Sequence, residues 1–309
     1  MFWDEEFDKS GQPENWNGQI FVTGSNYSVS ESIFSETKGG IRLASSSAVN
    51  SFLYVEGCFF TNIYNLTANG GAIHFLNGLG VALKKLCAYN CSCGSNWGQF
   101  CMCDTQNKLE CKNILFFSSI LSSNGVSGSA PTANYHGDIK ISHNNYSKNF
   151  ASYRCGFRIE YSNLRAVASF INVLNNTGDQ LYCVVYSFSQ GYFCYSNVVG
   201  NSNKGDIIGS YTFGNLTMEM CYVNENDPGS GYVLNKFSNS LFYIKNCYLQ
   251  KEKNSGSYDV AITSDISVIM IMHIESYVCE VSHVICPSMP HNQFPCIGPS
   301  LASPMIYLS

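Results

Sequence analysis

Short runs in which apolar and polar residues alternate, each closed by a turn residue, recur along most of the chain. Ile139-Lys140-Ile141 and Phe157-Arg158-Ile159-Glu160-Tyr161 show the period of two that belongs to a strand with one buried face. The runs are themselves repeated. A large apolar residue followed three positions later by a polar one closes a run at Phe59/Asn62, Tyr89/Ser92, Ile120/Ser123, Tyr146/Asn149, Val173/Asn176, Val198/Asn201, Tyr222/Glu225 and Tyr248/Lys251. Successive anchors lie 24 to 31 residues apart. Each unit holds two strand-like runs with a turn between them. Gly70-Gly71-Ala72-Ile73-His74-Phe75 leads through Asn77-Gly78 to Val81-Ala82-Leu83, and Gly205-Asp206-Ile207-Ile208 leads through Gly214-Asn215 to Leu216-Thr217-Met218.

A repeat of this length without helical periodicity excludes tetratricopeptide, ankyrin and HEAT arrays, and the Leu ladder and buried Asn of leucine-rich repeats are absent. The pattern predicts an all-β fold, a right-handed parallel β-helix solenoid in which like residues of successive coils stack about 4.8 Å apart. The eight anchors from Phe59 to Tyr248 are expected to line one internal stack. The ends differ from the middle, as capping units should. Residues 1–17, with Phe2, Trp3, Phe7 and Trp16, read as an N-terminal cap. Residues 18–275 read as a β-helix of roughly nine coils, and 276–309, with Cys279, Cys286, Cys296 and several Pro, as an irregular C-terminal cap.

Cys58-Phe59-Phe60-Thr61-Asn62 followed by Gly70-Gly71-Ala72-Ile73 resembles the paired Phe-x-x-Asn and Gly-Gly-Ala-Ile motifs of the polymorphic outer-membrane-protein repeat. Gly39-Gly40-Ile41 and the Asn-ended units echo it. More broadly, residues 18 to 275 resemble the pectin-lyase-like β-helix. The first resemblance implies a surface protein of the kind found in bacteria and parasitic protists, with adhesion or immune display as its role and the cell surface or the exterior as its location. The second implies, as the alternative, a polysaccharide lyase or glycoside hydrolase.

Composition narrows this picture only slightly. Aromatic residues at 14% and charged residues at 13% suit strands and tight turns rather than long helices. The formal net charge of −5, with no dense basic run, disfavours nucleic acid as a partner. No signal peptide or membrane span is visible, since no long apolar stretch occurs and Met1 to Ser10 is acidic. Sequons begin at Asn26, Asn65, Asn90, Asn145, Asn175 and Asn215, about as often as random order of so Asn- and Ser-rich a chain produces.

The chain has 15 Cys, with no recognisable disulfide framework. Cys58, Cys87, Cys221 and Cys247 precede repeat anchors by one or two residues and are expected to stack as small apolar side chains in one internal ladder. Cys91, Cys93, Cys101, Cys103 and Cys111 are the only candidates for a metal site. Their spacing is poor for zinc, and alternation in Phe100-Cys101-Met102-Cys103 equally describes an inward-facing strand. For an enzyme, Asp179 and Asp206 are the candidate carboxylates, each following a Gly in successive units. Turn formation explains the Gly-Asp pairs more simply. Arg158 and Glu160 share a strand face by their spacing of two. The carboxylate and Arg-Ile-Lys motifs of polygalacturonase-like enzymes are missing, and Arg158-Ile159-Glu160 departs at its last residue. The six His do not cluster, and His74 is expected to point outward. No cofactor motif is present. The sequence therefore favours a non-catalytic surface or interaction protein that presents a solenoid face to a glycan or protein partner. A polysaccharide-active enzyme is the alternative, and a structural spacer the third reading.

Overall fold

The computed structural model describes residues 20–21 and 26–262, apart from 37, 44–49, 66–68, 95–96, 122–123, 126–129, 180–183, 188–189, 212–213, 238, 251–255 and 258–259. The expected caps at 1–17 and 276–309 lie outside the described residues. Within them the chain forms a parallel β-solenoid whose coils contribute in turn to three long sheets. The first sheet has ten strands, among them Ile41–Leu43, Ile73–Gly78, Cys101–Thr105, Thr132–Tyr135 and Phe157–Glu160. The second, also of ten, includes Phe52–Glu56, Gly80–Lys84, Lys112–Phe116 and Asp138–Ser142. The third, of nine, includes Phe59–Thr61, Cys87–Tyr89, Ser119–Leu121 and Asn145–Ser147.

Alternation along each strand sends one set of side chains into the solenoid and the other out. In the third sheet the inward row is Phe34, Phe60, Ala88, Ile120, Tyr146, Val173, Val198, Val223 and Leu249, paired in register from coil to coil. Only four of the eight expected anchors, Ile120, Tyr146, Val173 and Val198, belong to it. Phe59, Tyr222 and Tyr248 stand one residue before the row and Tyr89 one after, so they face outward. Side-chain size is a poor guide to register, because a slip of one residue reverses the face. The outward tyrosines find other partners, as where the rings of Tyr222 and Tyr248 stack at 4.8 Å.

Correcting the register reveals a buried asparagine ladder, contrary to the expectation from sequence that no buried Asn row is present. Asn149, Asn176, Asn201 and Asn226 each follow an inward residue by three and are almost wholly buried. Asn176 Oδ1 accepts hydrogen bonds from Asn149 N at 2.9 Å and Nδ2 at 3.0 Å, while its own Nδ2 donates to Tyr146 O and to Asn201 Oδ1, both at 2.9 Å. The ladder ends on Gln250, whose Oε1 accepts from Asn226 N at 2.8 Å. Ile63 and Cys91 take the same place in earlier coils and are equally buried.

The corner between the second and third sheets is built from one residue in the left-handed conformation. Glu31, Gly57, Lys85, Phe117, His143, Phe170, Tyr195, Met220 and Asn246 hold this corner in successive coils. Inward residues on either side of it are separated by the same five positions each time, as from Val55 to Phe60, Leu83 to Ala88, Leu115 to Ile120 and Ile141 to Tyr146. Bulky residues adopt positive φ at a cost of about 1 kcal/mol or more. Stacking offsets it here, with ring centroids 4.6 Å apart for Phe117 and His143, 4.8 Å for His143 and Phe170, and 5.2 Å for Phe170 and Tyr195. At another bend only glycine fits. Gly70 has a φ of +63°, and a Cβ there would lie 2.1 Å from Ile73 O.

Because buried partners left unsatisfied cost about 1–3 kcal/mol each, Asn176→Ala is expected to lower the unfolding free energy by about 3 kcal/mol. Asn62→Ala, at a half-buried turn where the side chain accepts a hydrogen bond from Asn90, should lower it by about 1 kcal/mol. Urea denaturation of the two variants checks this, and equal losses would disprove the ladder's role.

Candidate functional site

The outward rows of the first sheet carry most of the charge the solenoid buries. Arg42, His74, Met102, Ala133 and Arg158 pair in one row, and Asp104, Tyr135 and Glu160 in the row two residues further on. They lie outside the core yet are covered: Tyr135 is 7% exposed, and Arg158 and Glu160 4% each. A cleft of about 310 Å³ opens over them.

Trp97 closes one side of this cleft. It sits in the connection before Cys101–Thr105, fixed where its N–H donates to Asn69 Oδ1 at 2.9 Å and its carbonyl accepts from Gly70 N at 2.9 Å. The Arg158 guanidinium carbon lies 3.5 Å from the centroid of the Trp97 ring and 5.3 Å from that of Tyr135. Arg158 Nη2 forms an ion pair with Glu160 Oε1. Arg154 approaches the same indole at 5.7 Å. Behind two of the lining residues, His136 Nδ1 is 2.8 Å from Asp104 Oδ1 and the His136 ring stacks on the exposed Tyr161 at 5.4 Å.

Burial sets the electrostatics. It pushes the Glu160 carboxyl above its ordinary range despite the pull of Arg158, and raises the Tyr135 phenol for the same reason. Three donors in the wall, Arg158 Nε, Arg158 Nη1 and the Tyr135 hydroxyl, have no hydrogen-bond partner. Further along the row His74 does stand at an outward position, but it is 8% exposed and its Nδ1 meets Arg42 Nη2 at 2.9 Å. Burial, and then the Arg42 charge, lower its pKa to about 4.

Of the residues singled out from sequence, Arg158 and Glu160 are brought together here. Trp97, Asp104, Tyr135, His136, Arg154 and Tyr161 carried no signal, because only the register places Asp104, Tyr135 and Glu160 side by side. Asp179 and Asp206 do not hold matching places. Gly178 pairs with Asn203, so Asp179 falls beside Lys204 and forms an ion pair with it at 3.1 Å. Asp206 turns to the next coil, accepting from Tyr232 N at 2.7 Å and Asn235 Nδ2 at 2.9 Å.

The free thiols Cys91, Cys93, Cys101, Cys103 and Cys111 are all buried. Cys101 and Cys103 point inward from one strand, opposite Ile73 and Phe75 of the previous coil. Burial pushes Cys91 up to about 12 and Cys101 also upward, the latter with a further contribution from Cys103 beside it. Among the described residues no three His, Cys, Asp or Glu side chains gather as metal ligands would. Cys58, Cys221 and Cys247 share one inward position, immediately after the left-handed corner. Cys87 does not join them. It stands one residue further on, in register with the outward Phe59 and Ser119, and is disulfide-bonded.

No protein-family model, curated protein or solved structure matches the chain. Among the described residues no helix is long and apolar enough to cross a membrane.

The His74 environment sets a pH dependence. Its folded pKa lies below the unfolded value near 6.5, so the unfolded chain binds more protons between about pH 6.5 and 4 and stability falls as the pH is lowered through that window. The loss should reach about 3 kcal/mol. Glu160, shifted upward, works in the opposite sense, so the comparison is with His74→Gln, which should lack that share of the decline in thermal unfolding measured across the window.

Proposed function

We propose that this solenoid is a non-catalytic interaction protein that holds a glycan in the cleft over Arg158 and Tyr135. The observation that carries this reading is the set of buried donors without acceptors, Arg158 Nε and Nη1 and the Tyr135 hydroxyl, gathered in the wall of one cleft. A donor left unpaired in a dry site costs about 1–3 kcal/mol, a cost that a ligand rich in acceptor oxygens removes. Sugars supply such oxygens, and their C–H faces suit the exposed ring of Tyr161 at the rim. Trp97 lies over the guanidinium, so a ligand reaching these donors shifts the indole. The resemblance to surface-protein repeats supports display outside the cell and a binding rather than a catalytic role.

A glycan array followed by titration of tryptophan fluorescence tests this. Saturable binding should quench or shift the Trp97 signal, and Arg154→Gln or Tyr161→Ala should weaken it by at least about tenfold. Binding unaffected by both variants would remove the cleft from the account, and absence of any glycan or protein ligand would leave the structural spacer.

One observation favours the enzymatic alternative. Asp104 and Glu160 share an outward register two coils apart, which places their backbones about 10 Å from each other with Tyr135 between. Inverting glycosidases hold their two carboxyl groups about 6.5–9.5 Å apart, and the acid needs a raised pKa such as burial gives Glu160. Release of reducing ends from a polysaccharide, abolished by Asp104→Asn and by Glu160→Gln, would establish hydrolysis over binding. No release from the glycans that bind would reject it.

A further inference from the structure

The inward position after the left-handed corner is occupied from coil to coil by Ser32, Cys58, Leu86, Ser118, Asn144, Ile171, Ser196, Cys221 and Cys247. Only the last two are cysteines in adjacent coils. Their successors pair in register, Tyr222 with Tyr248 and Val223 with Leu249. The two backbones at the cysteines are thus one strand spacing apart, about 4.8 Å. That separation lies within the range of about 4.4–6.8 Å between Cα atoms that a disulfide spans.

The Cys247 side chain also reaches the neighbouring coil at Cys221. Cys221 N donates to Cys247 Sγ at 3.4 Å, although the residues are 26 apart in sequence. Each thiol also lies against backbone carbonyls. Cys221 Sγ lies 3.5 Å from Phe193 O and 3.3 Å from Glu219 O, and Cys247 Sγ lies 3.6 Å from Met218 O and 3.3 Å from Lys245 O. A hydrogen bond from Cys221 holds the Cys247 thiol below its ordinary range, whereas burial pushes Cys221 up. Cys247, at 6% exposure where Cys221 has none, is also the more reachable sulfur of the pair.

We propose that Cys221 and Cys247 are a thiol-oxidation site, closed to a coil-to-coil disulfide by exchange with a small-molecule disulfide such as oxidised glutathione. Cys247 as thiolate attacks one sulfur of the oxidant and expels the other half as a thiol. Cys221 then loses its proton and attacks the Cys247 sulfur of the mixed disulfide, expelling the second thiol. The two protein thiols give up two electrons, the oxidant becomes two thiols, and the protons balance. The pair is buried, so exchange proceeds through local opening of these coils. Parallel neighbours carry their Cβ atoms side by side rather than converging, a geometry that makes the bond easy to reduce again. The cross-link ties two coils through their interior without altering the outer faces.

The test uses the full chain in oxidised glutathione, in one arm folded throughout and in the other refolded from urea in the same mixture. Free thiols are then alkylated in denaturant and the cysteines mapped by peptide mass spectrometry. A Cys221–Cys247 linked peptide is expected in at least the refolded arm, lost on dithiothreitol treatment. The oxidised chain should also show a higher thermal midpoint than the reduced one, a difference that Cys221→Ser and Cys247→Ser should each abolish. Alkylated thiols at both positions in both arms, or linkage of either to a third cysteine, would overturn the proposal.

Discussion

Everything in this molecule depends on backbone pairing between one coil and the next. A parallel strand with neighbours on both sides satisfies its N–H and C=O groups only if each coil repeats the path of the one before. The pairing holds like positions about one strand spacing apart and leaves little freedom in what fills them. Tyr146 and Val173 stack because their strands are in register, and Asn176 sits between Asn149 and Asn201 for the same reason. The asparagines turn the constraint to advantage, since one side chain can bond both the coil before and the coil after.

The same rule acts on the outer face, where it groups charge instead of apolar side chains. Asp104, Tyr135 and Glu160 are far apart in sequence and lie on three consecutive strands at one register. Covering such a row is costly for its ionised members, and the structure compensates by pairing. Arg158 with Glu160, His136 with Asp104 and Arg42 with His74 are each local solutions. The compensation is incomplete around Trp97, where guanidinium N–H groups and a phenol remain unpaired. Single buried polar atoms elsewhere are also unpaired, His74 Nε2 on the same row among them, and what sets this place apart is that its unpaired donors gather in the wall of one cleft.

The solenoid was legible in the sequence because its cause, a strand period nested in a repeat, is written in every coil. Register was not. Phe59-Phe60 and Tyr222-Val223 each offer two apolar neighbours, and taking the first of the two set the anchor one residue early there, while Ala88-Tyr89 drew it one residue late. Local alternation gives the face of a strand only where polar residues intervene, as in Phe157-Arg158-Ile159-Glu160, and there the reading placed Arg158 and Glu160 together. The rest of the cleft comes from separate coils and from the connection that carries Trp97. No spacing within one unit encodes that meeting. Asp179 and Asp206 failed to match for a related reason, since Gly178 corresponds to Asn203 and not to Gly205.

The corner of fixed length between the second and third sheets leaves the chain no slack on that edge. A residue added or removed there would turn every following inward position of its coil outward, so neither change is tolerated by adjustment nearby. The connection from the third sheet back to the first is under no such restriction, running from Phe34 to Ile41 in one coil and from Ala88 to Cys101 in another. The connection from the first sheet to the second varies too, from ten positions between Cys103 and Asn113 to five between Asn134 and Ile139. Growth by insertion therefore falls on these two edges, and the third-to-first one carries Trp97. Such a solenoid can lengthen or recompose its loops, and with them the side chains around Trp97, while the interior that folds it stays untouched.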